Sequence, residues 1–504
     1  MNKRFTSTIA GASIFLAGVA VLGRGIGFIR EIIFASYFGL SEAFDIYLVG
    51  AVLPLTLDAI IFYIGQNYFI PSFNNYAEKS PSQKQNFLRF NFWIFTLIGA
   101  LISVILYIFS YQIVNLYLGG LSENTINKTV DIFRIFLITI PFAASISILT
   151  AYLQSKFNFT APGFSRLFLN ASIILMIILF TDSLSIYVIP IGHMLGTVVQ
   201  FVFLLKKSEL KLFGKFISNG AFGYFLKSAF LITILIESIS QLYIISDRYF
   251  MSSVDQGGVA ALNYAQTLFL LPISIVSLAI STALLSKLSH SFAKGSFDEL
   301  RIAFNDGVRI NLFVFVPLTF VFYFYGIDII RLLYQRGNFN EADSLLTFNT
   351  LKYLVLSFVF YSVYSISNKL FYSANLVKPL LFITLIGILI KIIFNFLLVD
   401  LMKQDGLALS TSLSYLFFFG SSLMILNKKN IITENIFIRE LLFHFISAVI
   451  SLIVVKLFFI STNFNNGYLE IIFFLTIIFI NNLMLNSRSY FLVSMMFNRL
   501  FNKV

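Results

Sequence analysis

Charged side chains inside strongly apolar segments are the residues of this sequence with the clearest chemical potential. Six of them could line a polar interior: Arg24, Arg30, Asp45, Asp58, Asp247 and Arg248. A charge that faces lipid at the centre of a bilayer costs about 2.5–3.5 kcal/mol on insertion scales, so such residues face a wet cavity or pair with one another. A guanidinium group binds phosphate oxygens through two parallel hydrogen bonds. The set therefore predicts a substrate-binding cavity that attracts an anionic headgroup.

A structural role is the alternative for each of these charges. Arg24 and Arg30 lie six residues apart, so they share a helical face only loosely, and Glu31 lies beside Arg30. Within apolar segments an acid and a base can form a purely structural ion pair, and a long side chain can extend to the membrane interface. We interpret Lys391 and Lys456 in this structural or interfacial way.

The sequence excludes several kinds of catalytic site. It has no cysteine, which rules out disulfides, thiolate nucleophiles and cysteine metal ligands. Its three histidines are scattered without ligand spacing, so no metal site is predicted. The glycine-rich residues 23–27 follow an apolar segment rather than a strand, and no P-loop is present, so no cofactor is expected. We predict that the protein is not an enzyme and has no catalytic residues.

Apolar segments long enough to cross a bilayer position these charges. The 504 residues are 58% hydrophobic and 12% charged, with a mean hydropathy of +0.88. A crossing needs about 20 apolar residues, and lipid-exposed backbone must satisfy its own hydrogen bonds, which favours helices. The prediction is an all-α polytopic membrane protein of about 14 transmembrane helices, at 9–37, 45–71, 90–118, 132–153, 166–182, 186–205, 224–248, 259–286, 308–333, 348–372, 380–400, 407–426, 439–460 and 468–486.

The placement of basic residues predicts the orientation. Lysines and arginines concentrate in alternate connections and near both ends, including Lys156 with Arg166, and 206–215, whereas the opposite connections are mainly acidic. This is the positive-inside bias, and it places both termini in the cytoplasm. It also accounts for the net charge of +12 without nucleic acid, which is not expected as a partner. Between two predicted segments, residues 287–306 favour a short amphipathic helix on the membrane surface, with a solvated loop as the alternative.

The first part of the sequence is repeated about 217 residues later. Arg30 precedes Pro54 by 24 residues, and Arg248 precedes Pro272 by the same distance. Paired glycines and prolines keep nearly the same offset: Gly39 and Gly257, Gly120 and Gly337, Pro162 and Pro379. A duplicated block of spanning helices is typical of transporters. We predict two six-helix lobes related by a parallel internal repeat, at 1–206 and 224–427, joined by a basic cytoplasmic linker at 207–223 and followed by a C-terminal helix pair and tail at 428–504.

Several stretches resemble a known family. GRGIGFIREIIFASYFG and AFDIYLVGAVLP in the first lobe, and LLYQRGNFNEADSLLT and FYSANLVKP in the second, are similar to the MurJ/MviN lipid II flippases of the multidrug/oligosaccharidyl-lipid/polysaccharide exporter superfamily. The resemblance implies two lobes in a V around a cavity whose basic residues hold a diphosphate and sugar, and a lipid-tail groove at the last two spans. Arg24 and Arg30 match the family's two first-helix arginines, and Asp45 matches its acidic residue at the start of the second span.

The sequence also departs from the family pattern. The family commonly has an arginine four residues after the proline of the second span, where this chain has Asp58. Another arginine often follows the motif around Asn263, where this chain has Gln266 and Thr267. The resemblance therefore implies a less cationic cavity, which favours a surface-polysaccharide unit slightly over lipid II.

These observations predict a flippase. Its substrate is an undecaprenyl-diphosphate-linked glycan precursor, either a surface-polysaccharide or O-antigen repeat unit or lipid II, moved from the inner to the outer leaflet of the bacterial inner membrane by alternating access. Expected partners are that substrate, the bilayer, and envelope glycosyltransferases or a polymerase. A drug/cation antiporter of the same superfamily and a non-transporting scaffold for envelope assembly are the alternatives.

Overall fold

The computed structural model describes residues 9–74, 81–118, 121–214, 228–432, 436–462 and 466–484. Both termini and most of the predicted linker at 207–223 lie outside the described residues. All regular structure in these ranges is helical, as the predicted fold class requires. The helices form because long runs of apolar residues satisfy their own backbone hydrogen bonds, and prolines such as Pro54 are tolerated inside them.

Within the described ranges, nine α-helices precede Gly258. They are α1 (Ile9–Phe38), α2 (Glu42–Asn74), α3 (Pro81–Ile108), α4 (Ser110–Leu118), α5 (Glu123–Leu137), α6 (Ile140–Ser155), α7 (Thr160–Leu184), α8 (Val188–Ser208) and α9 (Ser228–Tyr249). Their ends have local causes. Gly39, with φ of +53°, follows the last residue of α1, and the Ser122 hydroxyl accepts a hydrogen bond from the Thr125 amide at 3.2 Å to cap α5.

Eight helices follow. They are α10 (Gly258–Pro272), α11 (Leu278–Ala293), α12 (Phe297–Tyr334), α13 (Glu341–Val355), α14 (Phe358–Ser373), α15 (Val377–Lys428), α16 (Ile436–Ser461) and α17 (Gly467–Met484). A π-helical turn at Ile273–Ser277 joins α10 to α11. Asn340 and Asp343 form a reciprocal capping box at the start of α13.

Every one of the fourteen predicted segments overlaps a described helix. By length and composition, eight helical stretches could cross a membrane, or nine if the pair α13 and α14, bent by 50°, is one span. Two of these stretches, Thr160–Ser208 and Val377–Lys428, have 49 and 52 residues, which is more than twice the roughly 20 that one crossing needs. The first is interrupted at Ser185 and the second at Lys403, both with positive φ.

The predicted surface helix at 287–306 is wrong. Those residues belong to the end of α11 and the start of α12, separated only by the turn at 294–296, where Gly295 has a φ of +69°. Leu288 and Leu300 are both fully buried, whereas Phe297 and Ile302 of the same stretch are exposed. The alternation of apolar and charged residues therefore reflects two helix ends with one buried face each.

Two compact units divide the structure by packing. The first comprises Met1–Ala260 with Arg336–Phe339, and the second comprises Ala261–Gln335 with Asn340–Val504. This division groups α9, which packs on α2, with the first unit, whereas the sequence repeat assigns 224–248 to the second lobe. Packing and internal repetition are different properties, so the lobe boundaries stay a prediction.

In the first unit, α2 packs against α5, α6 and α9, and α7 packs along α8. A cluster of aromatic rings joins α2, α3 and α6, with Phe69 and Phe73 against Phe87 and Tyr152. Gly192 and Gly196 lie four residues apart on α8, and a Cβ at either position would come within 2.9 Å or less of the α7 backbone. The two glycines therefore allow close contact of α7 and α8, which is a common device between membrane helices.

In the second unit, α12 is the central helix. It contacts α11, α13, α14, α16 and α17, while α14 and α13 pack against α15. Ser277, Ser362 and Ser365 form buried hydrogen bonds between the π-helical turn and α14, with 2.6 Å between the Ser277 and Ser365 hydroxyls. Short polar side chains of this kind join helices where lipid supplies no hydrophobic driving force.

Candidate functional site

A cavity of about 850 Å³ lies within the first unit. Helices α1, α2, α6, α7, α8 and α9 form its wall, and its lining combines two arginines, two acids, a histidine and several amides. Apart from these groups the wall is apolar, with Phe62, Ile146 and Leu169 among the lining residues. A cavity of this size with a few convergent polar groups is typical of a small-molecule or headgroup site.

Helical spacing explains why these side chains meet. On α2, Asp58, Phe62 and Gln66 follow one another at four-residue intervals and therefore lie on one face. The other helices contribute pairs at the same spacing, Arg166 with Asn170 on α7 and Glu237 with Gln241 on α9. Helices α2, α7 and α9 thus each present a polar strip to the cavity, whereas α6 contributes only Ala143 and Ile146.

Arg30 is oriented by three contacts. Its Nη1 donates to Asn170 Oδ1 at 3.0 Å and its Nη2 donates to Glu31 Oε1 at 2.7 Å. The guanidinium carbon lies 5.3 Å from the centre of the Phe34 ring. Its side chain keeps 26% of its surface exposed, so the group is held in place and still accessible. A fixed guanidinium loses little entropy when it binds an oxyanion.

Arg166 is the second cation of the cavity. The guanidinium carbon lies 5.2 Å from the centre of the Phe62 ring on α2. The sequence analysis counted Arg166 as part of a cytoplasmic connection, whereas the structure places it in the second turn of α7. The sequence feature that could have identified Arg166 as a cavity residue is its spacing of four residues from Asn170, the residue that contacts Arg30.

His193 and the amides complete the wall. The His193 ring lies 5.0 Å from the Phe136 ring, and its Nδ1 is 3.5 Å from the Thr197 hydroxyl. Gln200 donates to the Ser165 hydroxyl at 3.2 Å. These groups donate and accept hydrogen bonds without adding permanent charge, which suits a glycan.

Two acids line the same cavity, Asp58 from α2 and Glu237 from α9. Within the described ranges, Oδ1 of Asp58 is buried and has no hydrogen-bond partner, and the same is true of Nε2 of Gln66. With His193 neutral, the two arginines and two acids balance in formal charge. The predicted cationic cavity is therefore mixed in charge.

Two other predicted site residues, Asp45 and Arg248, bond the backbone at the start of α10, and Asp247 precedes Arg248 in the chain. Asp45 accepts hydrogen bonds from the amides of Gly257 and Ala260, both at 2.7 Å, and Arg248 donates to the Val259 carbonyl at 3.2 Å. Asp45, Asp247 and Arg248 are all buried, and none of them lines the cavity. Asp45 therefore satisfies the exposed amides at the beginning of a helix, which a carboxylate does well.

Arg24 belongs neither to the cavity lining nor to the residues at the start of α10. It is exposed on α1 and is not among the residues that line the cavity. Of the six candidates, the structure thus brings Arg30 and Asp58 to one cavity and Asp45 and Arg248 to the start of α10, and it buries Asp247 next to Arg248 in the chain.

Many apolar helices around a charged cavity define the class of a multi-pass membrane transporter. The particular family follows from comparison: a family model described as "Lipid II flippase MurJ" matches residues 34–479, and the chain belongs to that family. It is a family of transporters and not of enzymes.

Curated relatives match most of the chain. A probable lipid II flippase MurJ of Borreliella burgdorferi is 25% identical over 467 residues, which cover 90% of this chain and 88% of the relative. A probable lipid II flippase MurJ of Aquifex aeolicus is 26% identical over 377 residues, which cover 74% of each chain.

Comparison with solved structures agrees with this family membership. A lipid II flippase MurJ in an inward closed conformation superimposes with a TM-score of 0.80 at 25% identity, covering 97% of this chain and all of the other. An inward-facing MATE family transporter of the MOP superfamily matches with a TM-score of 0.69 at 12% identity, covering 81% of this chain and 94% of the other. The second likeness shows a shared fold alone.

Proposed function

We propose that this protein moves lipid II from the inner to the outer leaflet of the cytoplasmic membrane by alternating access. The observation that carries the proposal is Arg30, a preoriented and accessible guanidinium in the wall of an 850 Å³ cavity. A guanidinium of this kind pairs with the oxygens of a diphosphate. Family membership favours lipid II over the surface-polysaccharide unit that the loss of two arginines had favoured.

The roles of the other parts follow from this proposal. Arg30 and Arg166 bind the diphosphate, and the amides and His193 contact the sugar. Asp45, Asp247 and Arg248 hold the start of α10 against α2. Arg24, on the exposed face of α1, contacts the headgroup as it approaches the cavity. The two repeated lobes at 1–206 and 224–427 supply the helices, and the last two helices accompany the lipid tail.

Transport in proteoliposomes tests the proposal. Purified protein is reconstituted with lipid II, and the fraction that reaches the opposite leaflet is measured with an impermeant probe. We expect Arg30→Ala to lower the rate about 10- to 100-fold, since a hydrogen bond to a charged group contributes about 1.5–3 kcal/mol. Arg30→Lys should recover part of it, because an ammonium lacks the paired donors.

The matched control is Arg134→Ala. Arg134 lies in the same unit and donates to the Ser110 hydroxyl at 2.8 Å, away from the cavity. The Arg134→Ala protein should transport lipid II at the wild-type rate. Wild-type transport by a folded Arg30→Ala protein would refute the proposed role of the cavity.

Cysteine labelling tests the proposed orientation. The natural chain has no cysteine, so single cysteines can be introduced at exposed positions of two predicted connections, Lys207→Cys and Glu123→Cys. We expect an impermeant reagent to label position 123 in intact cells and position 207 only after permeabilisation. The reverse pattern would invert the topology.

A further inference from the structure

The two acids in the cavity are unexpected for a site that binds only a diphosphate. Asp58 and Glu237 line the same space as Arg30 and Arg166. Each carboxylate repels a diphosphate, and the repulsion is strong where water is scarce. Glu31 reduces the positive charge further, because it pairs with Arg30 at 2.7 Å. Two arginines alone therefore cannot neutralise a diphosphate together with these acids.

We propose, on the basis of the proposed function, that Asp58 and Glu237 bind a primary ammonium group carried by the headgroup. The cavity then has an anion-binding part formed by Arg30 and Arg166 and a cation-binding part formed by the two acids. A headgroup with both a diphosphate and an amine satisfies both parts at once. The substrate class is a polyprenyl-diphosphate glycan that bears a free amine.

The hydrogen-bonding state of the wall supports this assignment. The Asp58 carboxyl forms a hydrogen bond with the Thr139 side chain, but its Oδ1 is a buried acceptor that has no partner among the described residues. Nε2 of Gln66, eight residues further along α2, is a buried donor that likewise has no partner among them. Buried polar atoms without partners are uncommon and mark places where a ligand completes the bonding. An ammonium donates up to three hydrogen bonds, which matches an acceptor carboxylate.

The position of the acids also fits a single bound headgroup. Asp58 and Gln66 lie on one face of α2, and Glu237 lies on α9, the helix that packs against α2. Arg30 and Arg166 come from α1 and α7. Both kinds of charge therefore enter one cavity from different helices, and a ligand that carries both charges can bridge them.

The experiment compares two ligands that differ in one group. Lipid II with a free amine on its stem peptide and the same lipid after N-acetylation of that amine are bound to the wild-type protein in detergent. Acetylation removes the positive charge and leaves the diphosphate, sugar and tail unchanged. We expect the free amine to bind about 10-fold or more tightly, the scale of one charge-assisted hydrogen bond. This arm uses no variant, so its result does not depend on the folding of one.

Variants of the two acids then test whether Asp58 and Glu237 cause the preference for the free amine. Asp58→Asn and Glu237→Gln should each reduce the preference for the amine to about twofold or threefold, with acetylated lipid bound as tightly as by wild type or more tightly. Asp182→Asn, at an exposed acid outside the cavity lining, is the control and should keep the full preference.

Three outcomes overturn the inference. Equal binding of both lipids by the wild-type protein would show that the protein does not recognise the amine. If that binding still depended on Arg30, the proposed transport of lipid II would stand without the amine site. A preference unchanged in both acid variants would place amine recognition elsewhere. Binding of the acetylated lipid that requires sodium or potassium over choline, and loses that requirement in Asp58→Asn, would assign the acids to a free cation. Failure of both lipids to bind would instead count against the proposed function.

Discussion

Charges in apolar helices are used differently in the cavity of the first unit and in the second unit. In the first unit, Arg30, Arg166, Asp58 and Glu237 line a cavity of about 850 Å³. In the second, the described buried charges contact protein groups: Lys391 donates to Thr411 Oγ1 at 2.6 Å, and Arg309 binds Glu440 at 3.0 Å and Asp306 at 3.2 Å. Charges in apolar helices thus line a cavity at four positions of the first unit, whereas those of the second unit bond protein groups, as Asp45 and Arg248 also do in the first.

The comparison shows how a charge in an apolar segment affects the stability of the protein. A paired charge recovers part of its desolvation energy from its partner inside the protein. A charge that faces a cavity recovers less of this energy from protein groups and more from water or a ligand, so it is retained for function. Changes at the paired charges of the second unit should therefore alter stability, and changes at the cavity charges of the first unit should alter transport.

The largest effect is expected at Arg309. The Arg309→Ala change removes a buried guanidinium from the partly buried carboxylates of Asp306 and Glu440, and it leaves Glu440 with the longer contact to exposed Arg439 at 3.4 Å. Breaking a buried pair costs about 3–5 kcal/mol. We expect the free energy of unfolding, measured by denaturant titration in detergent, to fall by that amount. A Glu440→Gln and Arg309→Met double variant should recover much of it. A single variant as stable as wild type would remove the contrast between the units.

Arg166→Ala is the matched change in the cavity. Arg166 contacts the Phe62 ring and lines the space in which the headgroup binds. We expect transport to fall about 10-fold while the free energy of unfolding changes by about 1 kcal/mol or less, since exposed and cavity-facing arginine contacts contribute little to stability. Equal losses of stability in Arg166→Ala and Arg309→Ala would show that the two units use charge alike.

Lys391 permits a finer test within the second unit. Its side chain is fully buried, which excludes the interfacial position that sequence analysis allowed and leaves the structural role. Thr411→Val removes a hydrogen bond to a buried ammonium and should cost about 1.5–3 kcal/mol. Lys391→Met keeps the volume and removes the charge, so it should be neutral or stabilising. Thermal unfolding of the two variants measures both effects. A larger loss of stability in Lys391→Met than in Thr411→Val would contradict this account.

The sequence predicted the helices well because a bilayer imposes a length and a composition on each crossing. All fourteen predicted segments overlap helices in the described ranges, and Arg30 and Asp58 were selected because a charge stands out in an apolar run. Arg166 was missed because it lies beside the polar turn before α7, where hydropathy assigns it to a connection. Its contact with the cavity depends on the packing of α7 against α1 and α8, which no local pattern encodes.

The function of a charge was harder to predict than its location. Asp45 and Asp58 lie on the same helix and look alike in sequence, yet Asp45 accepts from two amides at the start of α10 and Asp58 lines the cavity. The difference arises from residues more than 200 positions away. Only the folded arrangement separates a helix cap from a ligand group.

The smallest effect is expected at Lys456, in the C-terminal helix pair. Its Nζ binds Glu470 Oε2 at 2.6 Å between α16 and α17, but 46% of the lysine side chain is exposed, in contrast to fully buried Lys391. Pairs with an exposed partner contribute about 0–1 kcal/mol, so Lys456→Gln should change the free energy of unfolding by no more than that. Because Glu470 is itself buried, Glu470→Gln together with Lys456→Gln is the control and should restore any loss. A cost above about 2 kcal/mol for the single variant, abolished in the double variant, would place Lys456 with the buried structural pairs and extend their role to the helix pair at the end of the chain.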